Sequence, residues 1–412
     1  MNALISKQSS FNSSITLPLD KSIAQRAAIL NMQTNDGVVG DDVLSTRLAS
    51  KSALTDGEEN LYLGNSGTGI RLLTGYLSGS GRKYYLSGDE SLSKRPMSRI
   101  ADPLNDLGAK IILENGKSPI KIFPSKLKKK FSYRLPIPSA QLKSSLLLAA
   151  LNGDTKIEII EPELSRDHTE RMLEYLECDI RIEYKDKLKR IYLNGEVPIK
   201  EKKVFVPGDF SCASFFIALT LLSENSKLFI PDVGINPTRI AFFDVLKQMN
   251  AEISIENIKQ KNNEEYADIL VNSSRLKGIT VPKNIVPNLI DEIPILSMLA
   301  VFAEGITFFE GISELRVKES DRLMAITRLL AEIGAKFESN SDDLTIHGFG
   351  SNYSFSNAKF RSFNDHRIAM CGAILSTRSM SYVMIKDVDN IHTSFPNFFE
   401  NLSSLGFTID LS

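Results

Sequence analysis

One phrase returns five times along this chain, and it constrains the fold more than any other feature. A helix closes in Leu/Met-x-x-Gly-Ala-x-Ile or a looser variant of it, at Leu104 to Ile111, Met172 to Ile180, Phe242 to Ile253, Leu323 to Phe337 and Phe398 to Ile409. The first two copies lie about 70 residues apart, the others somewhat more or less, which marks a degenerate internal repeat. Each copy reads as a βαβα unit with an added hairpin, and the 412 residues leave room for six. Units of this size cannot bury an apolar face alone, so they must stack. The class is therefore α/β, and the length calls for two domains, each with a substantial core.

The charge balance narrows the partners. Lys and Arg number 49 against 50 Asp and Glu, so no overall field favours nucleic acid or an acidic membrane. An anionic ligand must be held by local cations. The basic run Lys126 to Lys130 with Arg134 reads as the solvated face of a hairpin and lacks the aromatic interleaving of a nucleic-acid site. Cys178, Cys212 and Cys371 are widely spaced, as expected of a reducing cytoplasm, and His168, His347, His366 and His392 form no metal-binding pair. Lys7 near the N-terminus precedes no signal-like apolar core, and no apolar run has bilayer length. The expectation is a cytoplasmic protein.

Polar residues gather where helices begin. Gly64-Asn65-Ser66-Gly67-Thr68-Gly69-Ile70-Arg71 joins one apolar run to another and reads as strand, tight turn and first helical turn. Glycines let backbone N–H groups approach a ligand and a helix N-terminus adds positive potential, so an anion suits the loop. A plain turn fits it too. It is neither a nucleotide phosphate loop, since no Gly-Lys-Ser/Thr follows, nor a dinucleotide fingerprint.

Further helix starts repeat the theme. Ile15 to Leu19, a strand candidate, leads into Asp20-Lys21-Ser22 and a helix over Ile23 to Leu30, with Arg26 on the face of Ser22. Ser22 suits a helix cap; Lys21, unfavourable beside a helix N-terminus, suits a bound anion. Val43 to Leu54 reads as a second helix, and Lys94 and Arg95 precede Pro96 in an extended turn. Ser139-Ala140-Gln141, Ser165-Arg166-Asp167-His168, Asp291-Glu292, Arg316 to Arg322 and Asn364 to Arg367 each open an apolar helix. One carboxylate at Asp291-Glu292 would serve the helix dipole; two ask for more. Solvated faces explain any one of these clusters. Several of them carrying cations in a neutral chain favour a shared anion site.

Together these phrases are specific. Asp20-Lys21-Ser22 with Arg26, Gly64 to Thr68 with Arg71, Arg95-Pro96-Met97, Ser139-Ala140-Gln141, Arg316 to Arg322 and Asp365-His366-Arg367 resemble, in order and over nearly the whole chain, the EPSP synthase (3-phosphoshikimate 1-carboxyvinyltransferase) family. The resemblance implies the two-domain enolpyruvyl transferase fold, an inside-out α/β barrel of six βαβαββ-type repeats. Residues 1–19 and 232–412 would form one domain and 20–231 the other, with the site in the cleft between them. It implies transfer of the enolpyruvyl group of phosphoenolpyruvate to the 5-hydroxyl of shikimate 3-phosphate by a monomer, without metal or other cofactor.

Residue by residue, the resemblance gives Ser22, Arg26, Ser139, Ala140, Ser165 and Arg166 to shikimate 3-phosphate, with Lys21 touching both substrates. Gly67, Arg95, Gln141, Arg322 and Arg367 would surround phosphoenolpyruvate, and Asn65 and Lys318 join the binding set. Asp291 would take the hydroxyl proton and Glu319 would handle the proton at the methylene carbon, with Lys21 as the third catalytic group. Thr393 stands where some members have lysine, and Arg166-Asp167-His168 where some have tyrosine. Gly67 is similar to glyphosate-sensitive members, whereas Ser139-Ala140-Gln141 is similar to a less sensitive branch. The related transferase acting on a UDP-linked amino sugar usually carries a cysteine near the Arg95 region; this chain has none before Cys178. A non-catalytic binding protein on the same scaffold would lack Asp291 or Glu319, and both are present.

Overall fold

A computed structural model describes residues 1–6 and 10–412; Lys7 lies outside the described residues. The chain divides into two compact units. Unit 1 comprises Met1–Leu19, Pro207–Lys259 and Glu265–Ser412, and unit 2 comprises Asp20–Val206 and Gln260–Glu264. Sequence put the second boundary at 231/232; it falls between Val206 and Pro207. The reason is packing: every residue of the helix Phe210–Leu222 is buried, in the same core as Ala3, Ile5, Ile15 and Leu17. Each Phe or Leu so buried contributes about 2 kcal/mol relative to exposure, so the helix belongs where its contacts are.

Among the described residues, five four-stranded sheets share one plan. In unit 2, Asn60–Tyr62 pairs in parallel with Tyr84–Ser87, which pairs antiparallel with Lys117–Phe123, which pairs antiparallel with Lys110–Glu114. Lys130–Arg134, Lys156–Glu161, Leu188–Asn194 and Asp179–Lys185 repeat that order and sense. In unit 1 the sequence Thr280–Val281, Glu304–Phe309, Leu344–Phe349, Lys336–Ser339 does the same, as does Ala358–Arg361, Tyr382–Lys386, Asn2–Ser6, Thr408–Leu411. The fifth sheet runs Asn12–Ser14, Lys227–Gly234, Glu264–Asn272, Ile253–Lys261.

The recurring phrase now has a structural meaning. In every sheet it is the helix that leads into the far edge strand: Ser98–Leu107 into Lys110–Glu114, His168–Tyr175 into Asp179–Lys185, Ala241–Gln248 into Ile253–Lys261, Arg322–Glu332 into Lys336–Ser339, and Phe398–Ser404 into Thr408–Leu411. These helices are amphipathic. The helix on the other side of each central strand is apolar nearly all round, as in Ala140–Asn152, Phe210–Leu222 and Ile293–Val301. Such helices have no solvated face, so their polar residues collect at their first turns.

Other expectations change. Ile15 to Leu19 is not a strand: the paired segment is Asn12–Ser14, Ile15 N adds one bond to Phe229 O at 3.3 Å, and Leu19 forms an isolated bridge with Gly208 just after Pro18, which has no N–H to donate. The basic run is no hairpin; Lys130–Arg134 is a parallel edge strand beside Lys156–Glu161. The second helix spans Asp41–Lys51 and passes into a wider turn over Ser52–Asp56, ended by Gly57 at φ +73°. Among the described residues no helix is long and apolar enough to cross a membrane.

Candidate functional site

In unit 2 the polar helix starts are wired together by side chains. Asp20 caps Lys21–Ile29 by accepting from Ile23 N at 2.9 Å, which displaces Ser22 from the cap it could have made. Ser22 instead offers its carbonyl to Arg26 Nη1 at 2.7 Å. Lys21 Nζ pairs with Asp42 Oδ2 at 2.8 Å, a carboxylate that sequence reasoning missed. Gln25, buried, ties that helix to the glycine loop by donating to Ser66 Oγ at 2.6 Å and Asp42 O at 3.0 Å. Ser66 in turn caps Gly67–Ser78 through Gly69 N at 3.1 Å.

The glycine loop is crowded by cations. A Cβ on Gly67 would lie 2.7 Å from Arg95 Nη1 and 3.2 Å from Arg71 Nη1. Glycine is what lets two guanidinium groups approach this backbone. Arg95 donates to Asn65 Oδ1. Arg71 donates to Gly67 O at 3.3 Å, to Gln141 Oε1 at 3.1 Å and to Pro96 O at 3.1 Å, while Gln141 donates to Thr68 Oγ1 at 3.0 Å. Ser139 caps the helix that Ala140 begins, accepting from Leu142 N at 3.4 Å. Asn65, Gly67, Arg95, Ser139, Ala140 and Gln141 are thus one neighbourhood, held by Arg71.

Arg26 marks a second neighbourhood. Its guanidinium is buried and donates to Thr169 Oγ1 at 2.7 Å and Ser144 Oγ at 3.0 Å as well as to Ser22 O. Burial pushes its pKa down to about 10, partly offset by Glu170, Asp20 and Glu264, so it stays charged at neutral pH. Arg166 is close enough to oppose its charge. Ser165 donates both its N–H, at 2.9 Å, and its hydroxyl to Glu161 Oε1. His168, placed at a helix start by sequence, is buried there with Nδ1 at 2.7 Å from Glu264 Oε1.

In unit 1 the chemistry collects around one buried cation. Arg322 begins the helix Arg322–Glu332 and donates through Nε to Asp365 Oδ2 at 2.8 Å. Its Nη1 meets Asp291 Oδ1 at 3.2 Å and its Nη2 meets Glu319 Oε2 at 3.5 Å. Burial works against this charge, but Asp365, Glu319 and Asp291 overcome it and raise its pKa above the arginine value. Arg367 Nη1 donates to Asp291 O at 2.9 Å. Glu319 Oε2 is also 2.7 Å from His366 Nδ1, whose other ring nitrogen is 3.2 Å from Ser394 Oγ. Lys318 lies 3.8 Å from Glu314, and Thr393 turns its hydroxyl onto Asn390 O at 2.7 Å.

The structure therefore brings Asp291, Glu319, Arg322 and Arg367 into one contact network. Glu319, Asp365 and His366 each bring one metal-capable atom within 4.8 Å of the others. Arg322 and Ser320 already donate to that Asp365 carboxylate, so its charge is answered by protein groups. Two surface grooves, one lined by Ala335 to Glu338 and His347 and one by outward residues such as Lys130 and Arg181, lie away from the polar helix starts. Sequence reasoning missed Gln25, Asp42, Lys143, Glu161, Glu170 and Lys189. The readable signal was Lys143, a lysine inside an apolar helix, which requires a buried partner.

Comparison with known proteins adds the context. The family model for EPSP synthase (3-phosphoshikimate 1-carboxyvinyltransferase) matches residues 37–402. The 3-phosphoshikimate 1-carboxyvinyltransferase of Caldicellulosiruptor bescii is 39% identical over 433 residues, covering 98% of this chain and 99% of the relative. That of Hydrogenovibrio crunogenus is 38% identical over 424 residues, covering 96% and 95%. EPSP synthase from Acinetobacter baumannii superposes with a TM-score of 0.85 at 35% identity, over 100% of both chains. The enolpyruvyl transferase NikO from Streptomyces tendae, at 14% identity and a TM-score of 0.73 over 99% and 98%, shares the fold.

Proposed function

The chain belongs to the EPSP synthase family, and on that premise we propose how its residues divide one reaction. The reaction is transfer of the enolpyruvyl group of phosphoenolpyruvate to the 5-hydroxyl of shikimate 3-phosphate, with release of phosphate. Arg26, Ser22, Ser139, Ala140, Ser165 and Arg166 take the shikimate moiety and its phosphate. Asn65, Gly67, Arg95, Gln141, Lys318, Arg322 and Arg367 take phosphoenolpyruvate, whose carboxylate and phosphate suit planar guanidinium donors. Lys21 serves both.

Chemistry falls to two carboxylates. The 5-hydroxyl oxygen adds to C2 of phosphoenolpyruvate as its proton passes to Asp291, while protonated Glu319 gives a proton to the methylene carbon. The tetrahedral adduct then loses phosphate, which leaves with the proton that Asp291 took, as Glu319 takes a proton back from the new methyl group, restoring the double bond. Arg322, Arg367, Arg95 and Lys21 stabilise the charge on the phosphate and carboxylate throughout. The observation that carries this reading is the meeting of Asp291 and Glu319 on a single buried guanidinium, at 3.2 and 3.5 Å.

Architecture and cellular context follow the same reading. The five sheets of one plan support a sixth unit in the segment that holds the bridge from Thr34 to Val204, giving six repeats in an inside-out α/β barrel. The enzyme would be a cytoplasmic monomer. Turnover in deuterium oxide tests the mechanism: an addition and elimination through a methyl group puts deuterium on the vinyl carbon of the product. Product free of deuterium at that carbon would exclude Glu319 from proton transfer to the methylene carbon.

A further inference from the structure

We infer that Lys143, Glu161, Glu170 and Lys189 form a buried positioning network that sets the side chains holding the shikimate phosphate. This rests on the reading in which Arg26 and Ser165 bind that phosphate. Lys143 Nζ lies 3.0 Å from Glu161 Oε2 and 2.8 Å from Glu170 Oε1; Lys189 Nζ lies 2.9 Å from Glu170 Oε1 and 3.6 Å from Glu161 Oε2. No more than 4% of any of the four side chains is exposed. Two positive and two negative charges cancel. Apolar residues of similar volume commonly serve a core as well as buried ion pairs do, so stability alone is a weak reason for this quartet.

Its connections give a better one. Lys143 precedes Ser144 and Glu170 follows Thr169, and Ser144 and Thr169 are the side chains that receive Arg26 Nη2 and Nε. The Lys143–Glu170 pair therefore clamps the two helix starts that aim the guanidinium. With a third N–H on Ser22 O, three of the five N–H groups that a guanidinium carries are fixed, and two remain for an anion. Ser165 is held by the same quartet, since Glu161 accepts its N–H and hydroxyl and Lys143 donates to its carbonyl at 3.4 Å. Burial alone would raise the pKa of Glu170; Lys143 and Lys189 more than reverse that, so Glu170 is ionised at neutral pH.

A structural role and a positioning role differ in what they do to one ligand pair. Shikimate 3-phosphate and unphosphorylated shikimate are titrated calorimetrically into wild type, Lys143→Met, Glu161→Gln and the charge-balanced Lys143→Met with Glu170→Gln. Wild-type phosphate release is measured first, so that failure of the activity is told apart from failure of the network. In variants that keep the wild-type circular dichroism, affinity for shikimate 3-phosphate should fall about tenfold or more, while affinity for shikimate and KM for phosphoenolpyruvate move less than about twofold. An unchanged ratio of the two affinities would overturn the inference. So would failure of all three variants to fold, which would make the quartet a stability element.

Discussion

His366 Nδ1 sits 2.7 Å from Glu319 Oε2, so the carboxylate assigned the carbon proton transfer has an imidazole at hydrogen-bond distance as well as the Arg322 guanidinium at 3.5 Å. Glu319→Gln keeps the shape and removes the transferable proton. The maximal rate should fall roughly 100-fold or more with little change in substrate affinity, the span expected for a proton-transfer group. A steady-state comparison with wild type checks it; a near-normal rate would take Glu319 out of the chemistry.

Asp291 contacts Arg322 through its side chain, and Arg367 through its carbonyl at 2.9 Å and, more distantly, its carboxylate at 3.8 Å. Asp291→Asn retains the carbonyl and loses the base. The rate should drop by about 100-fold or more while KM for phosphoenolpyruvate changes modestly, because Asp365 still holds Arg322 at 2.8 Å. Unchanged turnover would reassign Asp291 to supporting the start of the helix Ile293–Val301.

Much of this was legible in sequence because the fold repeats itself and concentrates polarity at helix starts. The phrase ending in Ile111, Ile180, Ile253, Phe337 or Ile409 announces an edge strand each time, since an amphipathic helix followed by a tight turn and apolar residues is a local signal. The boundary near Val206 was not legible. Gly208 and Pro231-Asp232 both look like turns, and only the packing of Phe210–Leu222 decides between them. Asp42 and Glu161 were invisible for a related reason: each matters through a partner over ten residues away, Lys21 and Lys143, and no periodicity encodes that pairing.

Gly67→Ala would put a Cβ 2.7 Å from Arg95 Nη1, and the guanidinium, being the flexible end of its side chain, is the group that must yield. The loop near Asn65 should keep its course while Arg95 shifts. KM for phosphoenolpyruvate should rise, and inhibition by glyphosate should weaken by a larger factor than that rise, since selectivity is a difference between two affinities. Inhibition curves at matched saturation with phosphoenolpyruvate decide it; equal losses for inhibitor and substrate would mean that Arg95 displacement, not space beside Gly67, sets access.

Glu170 also carries an acid signature. Its pKa in the folded protein is below 4.5 despite burial, because of Lys143 and Lys189. The unfolded chain then binds the proton at higher pH than the folded one, so this contribution is present above the unfolded value and is lost as pH falls through the folded value. Thermal midpoints recorded from neutral pH downward should decline from pH 4.5 more steeply in wild type than in Glu170→Gln, whose neutral-pH midpoint is lower. Parallel declines would show that the two lysines do not hold the carboxylate ionised.

If the two arginine-rich sets of helix starts serve one bisubstrate reaction, neither substrate should react without the other, and a single assay addresses this most directly. Phosphate release from phosphoenolpyruvate is followed with purified protein, with and without shikimate 3-phosphate, no metal or nucleotide being added, and a UDP-linked amino sugar serves as the competing acceptor. Release is expected only when shikimate 3-phosphate is present. Release at an equal rate with the UDP-linked amino sugar, or release independent of any acceptor, would contradict the proposed reaction between these two substrates.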